Sequence, residues 1–181
     1  MALYCYSFES GKYLLKKLTF PKIIFLSYNK VMIRHINSED FDFIDNIGTS
    51  NYPINYYEGS ESFRSKMVGY PEGCFVCEIN KKIVGYIISF PYVLWEPYPI
   101  NKNYEKTENS DCYYIHDICV DKKHRGKGYA MSLVDKVLKI KLNPKVLMSV
   151  LNSENFWEKF GFKRHKKIDY YGLNATYMVK M

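Results

Sequence analysis

Between Tyr113 and Leu138 an apolar strand-like run, a turn holding two glycines and an amphipathic helix follow one another without interruption. Ala130, Leu133, Val134, Val137 and Leu138 fall at i, i+3, i+4, i+7 and i+8, which is one face of a helix. Asn143-Pro144 stops it. Gly126 and Gly128 let the backbone come close to a ligand, and the helix that follows offers unpaired N–H groups and a positive dipole end. Such a turn suits a phosphate or pyrophosphate, with Arg125, Lys127, Lys122 and Lys123 near enough for charge-assisted contacts. It equally suits a tight strand-to-helix connection with no ligand. The patterns G-x-G-x-x-G and G-x-x-x-x-G-K-[ST] are both absent, which weighs against dinucleotide and P-loop sites.

The elements around this stretch alternate. Met32–Ile36 reads as a strand, and Ser38 as the cap of a helix over Glu39–Ile47 with acidic residues in its first turn. A second helix is expected over 60–69. Cys74–Ile79 and Ile83–Phe90 read as strands about Asn80-Lys81-Lys82, a hairpin-sized connection. Residues 91–111 form a long loop with Pro91, Pro97 and Pro99; loops of that length are usually functional or mobile. Beyond the central helix, Val146–Leu151, Phe162–Ile168 and Ala175–Lys180 read as strands, with a short helix over Ser153–Phe160 closed by Gly161. Strands alternating with helices, then a strand pair, describe a mixed α/β sheet. At 181 residues this is one domain, 32–181, preceded by an extension, 1–31, with no clean helical or strand period.

Composition excludes other classes. The net charge of +7 comes mostly from lysine, and +4 of it falls in residues 1–31. No basic stripe is evident in the main body, so nucleic acid is not an expected partner. Apolar runs reach only about five residues, too short to span a membrane. Cys5, Cys74, Cys77, Cys112 and Cys119 are odd in number and irregularly spaced. Cys74 and Cys77 sit three apart in a strand, where they point to opposite faces. No second C-x-x-C completes a zinc site, so no metal is expected. Reduced, buried cysteines and the lack of a secretory signal fit a cytoplasmic protein.

Arg125-Gly-Lys-Gly-Tyr-Ala130 matches R/Q-x-x-G-x-G/A, and in this the chain resembles the GNAT acetyltransferase superfamily. The strand Ile115–Val120 before it and Phe156-Trp-Glu-Lys-Phe-Gly-Phe162 after it stand in the same order, so the resemblance covers Met32 to Met181. More narrowly, the chain resembles the arylalkylamine (serotonin-type) N-acetyltransferases and their bacterial-type relatives. It shares their His-x-hydrophobic-hydrophobic-Val strand, their proline- and aromatic-containing loop and their F-[YW]-x-[RK]-F-G-F helix end. The resemblance implies a single-domain, mostly antiparallel mixed sheet flanked by helices, with acetyl-CoA at splayed central strands.

It also implies roles. Backbone groups of Ile118, Cys119 and Val120 would pair with the pantetheine arm, the N–H near Ile118 polarising the thioester carbonyl. Arg125, Gly126, Lys127, Gly128, Tyr129 and Ala130 would cradle the pyrophosphate, and Asn155 and Trp157 would border the coenzyme. Acetyl would pass directly to a primary amine. His116 would accept the proton of that amine, since imidazole titrates near neutrality, and Tyr114 would continue the proton path. The same His116 is also readable as a hydrogen-bonded structural histidine. Trp157 stands where many relatives have a tyrosine, and an indole N–H is no usable acid for the departing thiolate. Trp157 would pack on the coenzyme arm and solvent or another side chain would protonate the sulfur, Tyr170 and Tyr171 being the candidates among tyrosines. Asp117 would face the other side of an unbulged strand.

For the acceptor, Tyr57, Tyr92, Trp95 and Glu96 offer aromatic walls and a carboxylate, in loops that also contain Tyr52, Tyr56 and Glu58. The expected acceptor is a small aryl-, alkyl- or polyamine-like molecule, the enzyme being a monomer or homodimer. A protein amine, or a non-catalytic acyl-CoA-binding module, is the alternative.

Overall fold

The computed structural model describes residues 30–181 together with the backbone of two strands near the start, β1 (Tyr4–Glu9) and β2 (Lys12–Lys17). These two form an antiparallel hairpin in a stretch where no strand period is evident. Residues 1–3, 10–11 and 18–29 of the extension lie outside the described residues.

The main sheet has seven strands, β3 (Val31–His35), β4 (Cys74–Ile79), β5 (Lys82–Tyr92), β6 (Cys112–Val120), β7 (Lys145–Ser149), β8 (Lys163–Tyr170) and β9 (Leu173–Lys180). Their spatial order is β3-β4-β5-β6-β7-β9-β8. Every neighbouring pair is antiparallel except β6 and β7. Four helices cover it: α1 (Phe41–Asn51), α2 (Ser60–Gly69), α3 (Tyr129–Leu138) and α4 (Glu154–Glu158). The expected mixed, mostly antiparallel sheet flanked by helices is the observed fold.

Each face has its own core. Ile44 and Ile47 of α1 and Phe63 and Met67 of α2 pack with Val76, Tyr86, Phe90 and Tyr114 on one side. Leu133, Val134 and Val137 of α3 and Trp157 of α4 pack with Phe75, Ile87, Tyr113 and Leu147 on the other. Three of the five periodic residues of α3 are fully buried, so Leu133→Ala should cost about 2–5 kcal/mol. Cys74 and Cys77 fall in opposite cores and, like Cys112 and Cys119, are buried free thiols.

Local details differ from the sequence reading. The first helix is capped by Asn37, whose side chain accepts from the Glu39 N–H at 3.1 Å while Asp40 accepts from the Asn37 N–H at 2.9 Å. This capping box starts a 3-10 turn over Ser38–Asp40 that leads into α1. Asn80 and Lys81 both have positive φ, so β4 and β5 join by a two-residue turn and Lys82 is already strand. The edge strand β8 exposes Lys163, Arg164, Lys166 and Lys167, a basic run on the surface of the main body that the charge reading passed over. Lysines on a sheet edge also discourage pairing with a second sheet.

Candidate active site

Strands β6 and β7 pair only from Tyr113 to Ile115, against Lys145 to Leu147, and then diverge. The divergence opens a cleft of about 630 Å³. Ile118, Cys119 and Val120 line one side, Leu147, Met148 and Val150 the other, with Trp157 and Phe156 of α4 alongside. Its far end is bordered by Arg125, Gly126, Gly128, Tyr129 and Ala130. Gly128, at φ 82°, is the N-terminal cap of α3, and Gly126 has φ 75°. No atom stands within 4 Å of where a Cβ would be at either position. The glycines are therefore needed for the left-handed backbone, which aims the loop into the cleft at a helix N-terminus.

The side chains of this loop take other work. Arg125 turns back, donating from Nε to the Val120 carbonyl at 3.0 Å and from Nη2 to Asn51 Oδ1 at 3.3 Å. It braces the loop against β6 and the end of α1. Lys127 is exposed and outside the cleft lining. Asn155 also lies off the cleft, accepting from Arg164 at 2.7 Å. Trp157 lines the cleft, buried among Phe156, Phe160 and Phe162.

A β-bulge controls the other end. Ile88 pairs with Asp117 and Ser89 with Ile115, leaving His116 without a partner on β5. The bulge turns both His116 and Asp117 toward α1 and α2, which corrects the expectation for Asp117 from an unbulged strand. His116 then stands where the cleft meets a second, smaller cavity of about 70 Å³. Tyr56, Tyr57, Glu58, Tyr114, Tyr170 and Ile100 are among the residues lining it.

His116 Nε2 lies 3.1 Å from Glu58 Oε1. The other carboxylate oxygen, Oε2, accepts from Lys66 Nζ at 2.6 Å. Burial alone would raise the Glu58 carboxyl, but His116 and then Lys66 outweigh it and hold it down at about 2. Glu58 is thus a fixed anion rather than a base. Facing it, Nε2 of a neutral His116 carries the hydrogen, and Nδ1 keeps the lone pair.

Asp117 is the second carboxyl at this junction. Tyr86 donates to its Oδ2 at 2.8 Å, and the Tyr52 hydroxyl lies 2.5 Å from Oδ1 and 2.8 Å from the Ile118 carbonyl. One phenolic hydrogen cannot serve both of those acceptors. A proton on Oδ1 satisfies both contacts, donating to Tyr52 while Tyr52 donates to Ile118. Burial pushes the Asp117 carboxyl in the same direction, upward.

The acceptor residues expected from sequence divide. Tyr57 lines the small cavity, its hydroxyl donating to Asp45 at 2.9 Å. Tyr92 packs on Phe90, Tyr98 and Tyr114 and does not line it. Trp95, half exposed, stacks on His165, and Glu96 is exposed; neither reaches the cavity. Tyr114 lines the small cavity, buried against Phe90 at 5.9 Å. Tyr170 lines the cavity, but its hydroxyl is engaged by the Tyr98 carbonyl, and Tyr171 is exposed on the β8–β9 turn. Sequence reasoning missed Lys66 and the pairing of Glu58 with His116. The spacing Glu58, Ser62, Lys66, at i, i+4 and i+8, was the available signal. Among the described residues no cluster of His, Cys, Asp and Glu is suited to a metal ion, and no helix is long and apolar enough to cross a membrane.

Known proteins give the same picture. A family model for the Acetyltransferase (GNAT) family matches residues 31–162. No curated protein matches the sequence. The fold is similar to that of Ard1 from Thermoplasma volcanium, at TM-score 0.68 and 19% identity, over 83% of this chain and 96% of that one. It is also similar to Arabidopsis thaliana Naa50 in complex with the bisubstrate analogue CoA-Ac-MVNAL, at 0.65 and 19%, over 83% and 98%. An N-acetyltransferase from Staphylococcus aureus Mu50 gives 0.60 and 20%, over 82% and 100%. At such identities these likenesses concern the fold, whereas the family match covers most of the chain and the loop Arg125–Ala130 within it. The chain belongs to the GNAT family of acetyltransferases, acyltransferases that draw on acetyl-CoA.

Proposed function

We propose that the chain transfers acetyl from acetyl-CoA directly to the primary amine of a small aryl-, alkyl- or polyamine-like molecule. The observation that carries this reading is the position of His116, at the junction of cleft and cavity with Nε2 held by an ionised Glu58. The loop Gly126–Ala130 would hold the pyrophosphate through backbone N–H groups, and the open stretch Ile118–Val120 would lie along the pantetheine arm. The N–H near Ile118 would meet the thioester oxygen.

The ammonium of the acceptor first loses one proton to solvent. As the free amine attacks the thioester carbonyl and the C–S bond breaks, Nδ1 of His116 takes the second proton from nitrogen. The resulting imidazolium, stabilised by Glu58, gives that proton to the departing thiolate. The histidine ends as it began, so no tyrosine at position 157 is required. Tyr114 and Tyr57 wall the amine's path, and the tyrosine-lined cavity suits an amine on a short apolar body. This keeps the arylalkylamine-type resemblance as the working subfamily, 32–181 as the catalytic domain, and a cytoplasmic monomer or homodimer as the working form.

A protein amine is the second reading, favoured by the fold likeness to Naa50 bound to a CoA–peptide conjugate. Amine-dependent release of free thiol from acetyl-CoA separates the cases. Release with small amines and not with peptides supports the proposal. Release with peptides alone gives the second reading. A thermal shift with acetyl-CoA and no release with any amine leaves a binding module.

A further inference from the structure

Among the described residues two lysines are buried, and they differ in what they hold. Lys145, 1% exposed, donates to the Ile140 and Leu142 carbonyls at 2.6 Å each and to Asn143 at 3.0 Å. All are its own near neighbours beyond the end of α3, so its role is local. Lys66, on α2, is 0% exposed. Its Nζ donates to Glu58 Oε2 at 2.6 Å, Ser62 Oγ at 2.8 Å and the Lys102 carbonyl at 2.9 Å. Those partners belong to the α1–α2 loop, to α2 and to the long loop between β5 and β6.

Further contacts make the junction tight. Ser62 Oγ also lies 2.9 Å from the Lys102 carbonyl, and Asn101 accepts from the Gly59 N–H at 3.0 Å. Ile100, two residues from Lys102, is a wall of the small cavity, and Tyr98 lies beneath the Lys66 ammonium at 5.2 Å. The Ser62 carbonyl, at 3.3 Å, is a fourth oxygen around the same nitrogen. Burial pulls the Lys66 ammonium down, while Glu58 and these acceptors favour the three-hydrogen, charged form. The 93–111 loop is thereby fixed to the same group that neutralises Glu58.

We propose that Lys66 is a positioning residue that joins base and acceptor wall, holding Glu58 against His116 with one N–H and the Lys102 segment, with Ile100, against the cavity with another. This rests on the reading of His116 as the base. Shape of the acceptor pocket and readiness of the base are then set by one buried ammonium. Removing it changes two observables together. With its positive charge gone, Glu58 interacts more fully with His116, so the imidazolium is favoured and His116 titrates at a higher pH. The groups facing His116 in that titration are Glu58, Asp117, Tyr114 and Tyr98, with Lys66 acting through Glu58. With one of its tethers gone, the segment carrying Ile100 defines the pocket less well, and the KM for amine rises while affinity for acetyl-CoA stays.

The test compares wild type, Lys66→Met, Glu58→Gln and the double variant Lys66→Met/Glu58→Gln, full-length. The double variant removes both charges and so guards against misfolding of a chain with a lone buried carboxylate. Imidazole nitrogen NMR shifts of His116, read without any substrate, should show the titration midpoint of Lys66→Met raised by at least half a pH unit. In amine-dependent thiol release, the double variant should match Glu58→Gln in kcat but exceed it in amine KM by about five-fold or more. A Lys66→Met that melts lower yet keeps the His116 midpoint overturns the proposal, as does a double variant with the amine KM of Glu58→Gln. Wild-type protein without turnover would sink the enzymatic reading alone, since the NMR titration still decides the Lys66–Glu58–His116 link.

Discussion

The proposed coenzyme end and the proposed acceptor end of the site are built in opposite ways. The first comes from one short stretch, Ile118 to Ala130, and is made of backbone: strand edges, two left-handed glycines and a helix N-terminus. The acceptor end is assembled from side chains far apart in sequence, Tyr57 and Glu58, Lys66, Ile100, His116 and Tyr170. Backbone recognition depends on local conformation and so leaves a local motif. Side-chain recognition depends on what the fold brings together, and here it relies on buried charges that need each other.

That division can be broken by substitutions at each end. The largest effect is expected for His116→Ala, which should lower kcat by about 10²–10⁴-fold while the thermal shift with acetyl-CoA persists. Loss of that shift would mean that the two ends are not separable. Gly128→Asp is the converse. A side chain at φ 82° and a carboxylate at the loop should weaken acetyl-CoA by about 10–100-fold, read as loss of the melting shift. For the unsubstituted chain, acetyl-CoA at about 100 times its dissociation constant should add roughly 2.7 kcal/mol. That corresponds to a midpoint rise of roughly 5–10 °C.

Smaller effects sharpen the acceptor end. The Glu58 carboxyl sits at about 2, below its ordinary 4.5. The stability it contributes is therefore present above pH 4.5 and is lost as pH falls toward 2. Acid denaturation curves of wild type and Glu58→Gln should converge across that window; parallel curves would deny the ion pair. Asp117 works in the opposite sense, its raised value making its contribution greatest at low pH and smaller as pH rises through the folded-state value. In the infrared spectrum the carbonyl stretch of a neutral carboxylic acid should persist to higher pH than for an ordinary aspartate, and Asp117→Asn should remove that late-titrating component. Asp117→Asn retains one donor and one acceptor and should change stability by only about 1 kcal/mol or less.

The same contrast explains what was legible in the sequence. The α3 face and the glycine turn were readable because their meaning is periodic and local, and the family resemblance followed from them. Helix boundaries near Asn37 and the two-residue turn at Asn80 were off by small steps, since cap and turn chemistry is decided by single hydrogen bonds. Trp95 and Glu96 looked like acceptor residues because they are aromatic and acidic in a long loop. The loop, however, is fixed by Lys66, Ser62 and Tyr170, which turns Ile100 inward and leaves Trp95 outside. Lys66 was invisible for a plain reason: lysine is usually a surface residue, and only its partners mark this one as buried.

The bulge in β6 carries a consequence for chain length. Because Tyr114, Asp117 and Cys119 lie toward one core and Tyr113, Ile115 and Val120 toward the other, a strand shorter by His116 alone would run in simple alternation. Every other side chain of β6 would keep its side of the sheet. In genetic terms, the proposed base is a one-codon addition to a complete strand. A single-residue deletion at 116 should therefore give a folded protein that still takes up acetyl-CoA, and a histidine substitution at no other position of β6 would restore the lost chemistry.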